Sequence, residues 1–214
     1  MRYLALDPSQ MCGWAHGEPG GMPIHGVHKL ASEIYSAKAL NLEGFLIGMI
    51  KGNGISRVYA EKPILPMVTS FDSMMSMAGI AAVIGMTCAR IGADFFFVDQ
   101  QSWRSEFLGT TQAPKMSDDQ ILAALAPGSR RDLFASRMYA TGLAEEELKW
   151  VKSVRSEVRR NWLKNHTIEA CRKRGVEPED DNAADAVGIF FSKSDAMIRR
   201  DSTPQLDLLG GLTI

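Results

Sequence analysis

RYLALDPSQMCGWAHG, residues 2–17, is the stretch that decides the fold. A short apolar run ends on a carboxylate at Asp7, and Pro8-Ser9 then turns the chain. Gly13-Trp14-Ala15 and Ile24 to Leu30 read as two further strands, separated by the turn Glu18-Pro19-Gly20-Gly21, so an antiparallel three-stranded meander is predicted. From about Ala31 to Lys51 the period becomes helical, with Leu42, Phe45, Leu46, Met49 and Ile50 on one face and Asn53-Gly54 as the stop. Arg57-Val58-Tyr59-Ala60 is a fourth strand that ends at Glu61. A helix over about 70–91 follows, its apolar face carrying Met74, Met77, Ala78, Ala81, Ile84 and Gly85. Phe95-Phe96-Phe97-Val98 is apolar enough to predict a strand in the sheet interior. This order of elements predicts an α/β layer fold with a mixed sheet flanked by helices.

The remainder is helical. Ala113-Pro114 and Pro127-Gly128 break residues 109–150 into short pieces, and a long helix is expected from Glu145 to about Arg174, with Trp150, Val154, Val158 and Trp162 at four-residue spacing. A last helix covers Asp181 to Arg200, apolar at Ala184, Val187, Ile189, Phe190 and Phe191. The expected organisation is one domain over 1–200 with a helical insertion at about 109–160, and a tail over 201–214.

Composition narrows the function classes. The chain has 214 residues, 45% hydrophobic and 23% charged, which excludes a disordered or fibrous protein. Its 24 basic and 25 acidic residues exclude a uniformly basic nucleic-acid binder while leaving room for a local basic face. The three cysteines form no CxxC pair, which points to a reducing cytosol rather than a disulfide framework. Asp7 comes too early for the apolar core of a signal peptide, and Arg90 and Asp94 interrupt the apolar stretch 74–98, so the expectation is a soluble cytoplasmic protein.

Three acidic positions fall where strands or helices would present them at one edge of the sheet: Asp7, Glu61, and the pair Asp181 and Asp185. Singly, each fits an ordinary role as a turn former, a solvated strand end or a helix cap. Jointly they describe a cluster that only a cation could neutralise. Hard divalent ions prefer such oxygen ligands, and two of them together can drive phosphodiester hydrolysis. No His/Cys spacing suggests zinc. His16, His25 and His28 are expected at exposed strand positions.

Three ordered stretches resemble the RuvC-type Holliday junction resolvases. LALDPSQMCGWAHG is similar to their first strand, turn and second strand, VYAEKP to the strand of their second carboxylate, and DDNAADAVGI to their C-terminal Asp-x-x-Asp-Ala helix. The resemblance covers about residues 1–108 and 160–200. It implies an RNase H-like fold, a homodimer, and an endonuclease that cuts four-way junctions or other branched DNA with two Mg²⁺ or Mn²⁺ ions. Asp7, Glu61, Asp181 and Asp185 would be the catalytic and metal-binding residues. The family spacing of three before Asp185 selects Asn182 as a ligand, whereas charge and a spacing of four favour Asp181. The turn after Asp7 lacks the family glycine, and residues 109–160 exceed what its compact members need. Two rivals are a non-catalytic branched-DNA-binding protein of the same fold and an ATP-dependent phosphotransferase of a related fold. The second would need a duplicated domain with a phosphate loop.

Between Lys149 and Arg174 nine basic residues face only Glu157 and Glu169, a charge balance suited to phosphate contacts. Arg159, Arg160, Lys164 and, after Trp103, Arg104 are the DNA-binding candidates. Gln205-Leu206-Asp207-Leu208-Leu209 resembles the peptide by which bacterial proteins bind the sliding clamp, which makes that clamp a candidate partner.

Overall fold

The computed structural model describes residues 1–30, 32, 34–63 and 71–202, with backbone alone at 71–73 and 201–202. Five strands form one sheet: β1 Arg2–Asp7, β2 Met11–Gly17, β3 Ile24–Lys29, β4 Ile55–Glu61 and β5 Asp94–Val98. Their order is β3-β2-β1-β4-β5. The first three are antiparallel neighbours, while β4 runs parallel to both β1 and β5. The mixed sheet expected from the sequence is therefore present, with the fourth strand beside the first.

Helices cover both faces. Leu4, Leu6, Val58 and Ala60 meet α1 (Tyr35–Asn53) and α2 (Phe71–Ile91) through Leu42, Leu46, Ile50, Ile84 and Cys88. On the opposite face Tyr3, Ala5 and Ala15 meet α3 (Gln100–Leu108), the C-terminal part of α6 (Glu145–Lys173) and α7 (Asp181–Ser202). The insertion supplies α4 (Asp118–Ala124) and α5 (Ser129–Met138). They close a separate small core of Ile121, Phe134, Val151, Val154 and Val158 against the N-terminal part of α6.

Three expectations need correction. The 94–98 strand is not in the sheet interior: it is an edge strand, and Phe96 and Phe97 are 45% and 48% exposed. A continuous apolar run reads as an interior strand only when helices cover both of its faces. The buried stripe of α2 is Ile84, Thr87 and Cys88, whereas Met74 and Ala78 point outward; Met75 and Met86 are exposed as well. Residues 74–91 are long and apolar enough to cross a membrane by length and composition, yet little of that segment is covered by the rest of the chain. His16 is buried rather than exposed, stacked on Trp14, and burial pushes its pKa down. All three cysteines are buried and free.

Candidate active site

β1 and β4 are parallel neighbours with Leu6 opposite Ala60, so Asp7 and Glu61 are the next residues of adjacent strands and leave the sheet at the same edge. Adjacent strands lie about 5 Å apart, which brings the two carboxylates together without any loop having to place them. β5 ends at the same edge, with Val98 opposite Glu61. Asp99 caps the helix that follows, accepting from the backbone N–H groups of Gln101 and Ser102 at 2.9 and 3.4 Å. The first turns of α3 consequently stand over Glu61. Gln100 donates to Glu61 Oε1 at 2.7 Å, and the buried indole of Trp103 donates to Oε2 at 2.8 Å.

Two glycines set the other wall. Gly13 pairs with Asp7 across β1 and β2, and a Cβ at this position would sit 2.0 Å from the backbone oxygen of Asn182. Only a bare backbone lets the N-terminus of α7 reach the strand. Gly188, one turn beyond Asp185 on α7, would meet the Trp103 ring at 2.7 Å if it carried a Cβ. It brings α7 and α3 close enough for one indole to fill the gap. Asp180 caps α7 by accepting from Ala183 N–H at 2.8 Å.

The carboxylates on this edge are electrostatically frustrated. Burial, followed by repulsion from Asp185, Glu61 and Asp181, raises the Asp7 pKa well above the ordinary value. Burial also pushes Asp185 up to about 7, despite the opposing pull of Arg104. Glu61 is raised by burial against the lowering effect of its bonds to Trp103 and Gln100. Arg104 lies 3.5 Å from Asp185, both side chains largely buried, and Lys164 forms an ion pair with Asp181. Asp185 Oδ1 and Arg104 Nε are buried with no hydrogen-bond partner among the described residues.

Among the described residues no three acidic, histidine or cysteine side chains converge on one point as they stand. Three of the carboxylates are instead turned to protein partners: Asp185 to Arg104, Asp181 to Lys164, and Glu61 to Trp103 and Gln100. The donor set is nonetheless all oxygen, and its mutual repulsion together with the orphaned Asp185 oxygen fits a hard divalent cation.

The sequence-derived residues do not all meet here. Asp7, Glu61, Asp181, Asp185, Arg104 and Lys164 share the edge. Asn182 donates to Asp180 at 3.1 Å and accepts from Ser9 at 3.4 Å, so its amide is engaged in the helix cap and the β1–β2 turn. Arg159 and Arg160 lie one to two turns before Lys164 on α6, exposed and apart from the carboxylates. Four other cations of that stretch are occupied structurally: Lys149 by Glu145, Arg155 by Asp118, Arg172 by Glu169 and Glu177, and Arg174 by Asp195. Gln100, Trp103 and Ser9 are site residues that sequence reasoning missed. The available signal was that the helix after the fifth strand must begin beside the end of the fourth.

No family model and no curated protein matches the sequence. Solved structures do. Thermus thermophilus RuvC superposes with a TM-score of 0.54 at 10% identity, covering 93% of this chain and 97% of that one. The fold is that of RuvC. T. thermophilus RuvC in complex with a Holliday junction substrate gives 0.54 at 11% identity over 95% and 98% of the two chains. A yeast mitochondrial Holliday junction resolvase gives 0.49 at 8% identity over 92% and 80%. The RNase H-like architecture expected from the sequence is thus the fold that the RuvC structures share with this chain.

Proposed function

We propose that the chain is a metal-dependent endonuclease for branched DNA, acting on four-way junctions as a homodimer in the cytoplasm. The observation that carries this reading is the placement of Asp7, Glu61 and Asp185, each with a raised pKa, along one sheet edge of a RuvC fold. Asp7, Glu61, Asp185 and Asp181 would hold Mg²⁺ or Mn²⁺. Two such ions, when bound, supply the charge that activates water and stabilises the leaving oxygen of a phosphodiester. Asp181 is favoured over Asn182 because its charge acts on both Asp7 and Asp185, while the Asn182 amide is bonded elsewhere. Trp103 and Gln100 orient Glu61. Arg104 and Lys164 balance the acids and stand where they can pass to a DNA phosphate once the carboxylates have another cation.

The homodimer is supported by the uncovered apolar surface of α2, where Met74, Met75 and Met86 are 39%, 49% and 72% exposed beside small residues such as Gly79 and Ala82. A patch of this kind on a charged, water-soluble chain suits a second copy. Free, buried cysteines suit a reducing cytoplasm. The clamp-binding reading of 205–209 stays part of the proposal; those residues lie outside the described ones.

The test is cleavage of a synthetic four-way junction with and without Mg²⁺. Asp7→Asn, Glu61→Gln and Asp185→Asn should each slow it by roughly 10³-fold or more, several kcal/mol of charge stabilisation being lost. Cleavage that persists in excess chelator, or in any of the three variants, would remove the metal or that residue from the reading.

A further inference from the structure

Away from the carboxylates, the insertion builds a second polar surface. Residues 111–116 run alongside α6 and enclose with it a groove of about 820 Å³, lined by Lys115, Lys152, Arg155, Ser156, Arg159 and Arg160 among others. Asp118 takes up Arg155 through two bonds, at 2.9 and 2.8 Å, which ties the start of α4 to α6 and fixes the groove wall. Lys115, Lys152, Arg159 and Arg160 are exposed and form no ion pair among the described residues. On the far side of α6 the acid is already spent, since Glu157 is held by Arg130 through bonds of 2.9 and 2.6 Å. A chain of net charge −1 thus gathers in one concavity four cations that form no ion pair among the described residues, although Arg160 also acts on Glu157 at a distance. A cleft lined by one sign of charge concentrates its field on a ligand of the opposite sign.

The groove also has a direction. Lys152, Arg159, Arg160 and Lys164 lie along α6, and Lys164 reaches Asp181 at the candidate active site. Twelve residues of helix separate Lys152 from Lys164, about 18 Å at the helical rise. That distance matches roughly five base-pair steps of B-DNA.

We propose that the insertion lobe is a second phosphate-binding groove, which holds the backbone of a duplex arm about five base pairs from the bond to be cut. The proposal rests on the branched-DNA nuclease reading and adds a role for the insertion that the catalytic edge does not need. Lys115 and Lys152 would contact phosphates directly, next to Arg159 and Arg160, and register the arm against the carboxylates without reading its sequence.

The test uses the full chain and a four-way junction, with binding read by fluorescence anisotropy in chelator. The double variant Lys115→Ala/Lys152→Ala should bind about tenfold more weakly at low salt, and its log K against log salt slope should be shallower by about 1.8, two phosphate contacts being lost. Neutral methylphosphonate linkages placed four to six base pairs from the crossover should weaken wild-type binding by a similar factor and leave the variant indifferent. Equal affinity and slope for the two proteins, or methylphosphonates that weaken both equally, would overturn the groove. Wild-type protein that cleaves the junction while showing either result fails the groove alone. Wild-type protein that binds no junction at all fails the nuclease reading, and the groove with it.

Discussion

The carboxylate edge and the insertion lobe are both rich in charge, and α6 reaches both, yet they hold charge in opposite ways. At the edge Asp7, Glu61 and Asp185 are largely desolvated and repel one another, and an oxygen of Asp185 has no hydrogen-bond partner among the described residues. In the lobe Asp118 and Glu157 are only partly covered and each is matched, Asp118 with Arg155 and Glu157 with Arg130. Buried like charges cost stability, and carboxylates shifted in this way are concentrated at functional sites. Solvated pairs need no such purpose, and most contribute little to stability. Number of charges does not separate the two regions; burial and missing partners do.

The comparison breaks most sharply at Glu61. If the Trp103 and Gln100 donors aim this carboxylate rather than merely pack α3, Trp103→Phe and Gln100→Met should each raise the half-saturating Mg²⁺ concentration by roughly 10–100-fold. Calorimetric titration of the divalent ion would measure this apart from cleavage. Unchanged ion affinity in both variants would make α3 a packing helix only.

A smaller effect concerns Asp185 and pH. A buried acid raised from 3.8 to about 7 keeps in the folded state a proton that the unfolded chain releases, so metal-free stability should be highest in acid and fall as pH rises through that window. Asp185→Asn should flatten the fall and melt on the order of 5 °C above the parent at pH 8 without metal. Circular-dichroism melts from pH 4 to 8 would decide it, and a variant that falls as steeply as the parent would contradict frustration at this position. The smallest change belongs to the lobe: Arg130→Ala, which removes an exposed pair, should move the melting temperature by no more than about 2 °C. A larger loss would show that the lobe's ion pairs carry its fold.

Much of this was legible in the residues. The alternation and turns of 2–30 specify a meander, because side-chain period and glycine or proline geometry are local. The edge position of Asp7 and Glu61 follows from strand order, and DDNAADAVGI places acids at a helix start. The sequence could not place β5 at the edge, since an apolar run is the same whether helices or a partner cover it. Nor could it say which face of α2 is covered, for a helix apolar nearly all round has no unique inward side.

By itself, then, the sequence determined which segments are strands and helices and which carboxylates sit at their ends, because backbone preference and periodicity act over a few residues. Only the tertiary structure decided that Gly13 admits α7 to the sheet, that Trp103 and Gln100 hold Glu61, that Asn182 is engaged by Asp180 and Ser9 while Asp181 stays in the field of Asp7, and that Arg159 and Arg160 face the lobe instead of the acids. These are contacts between residues as far as 173 positions apart. No local rule ranks such pairings, and only the packing of whole elements selects among them.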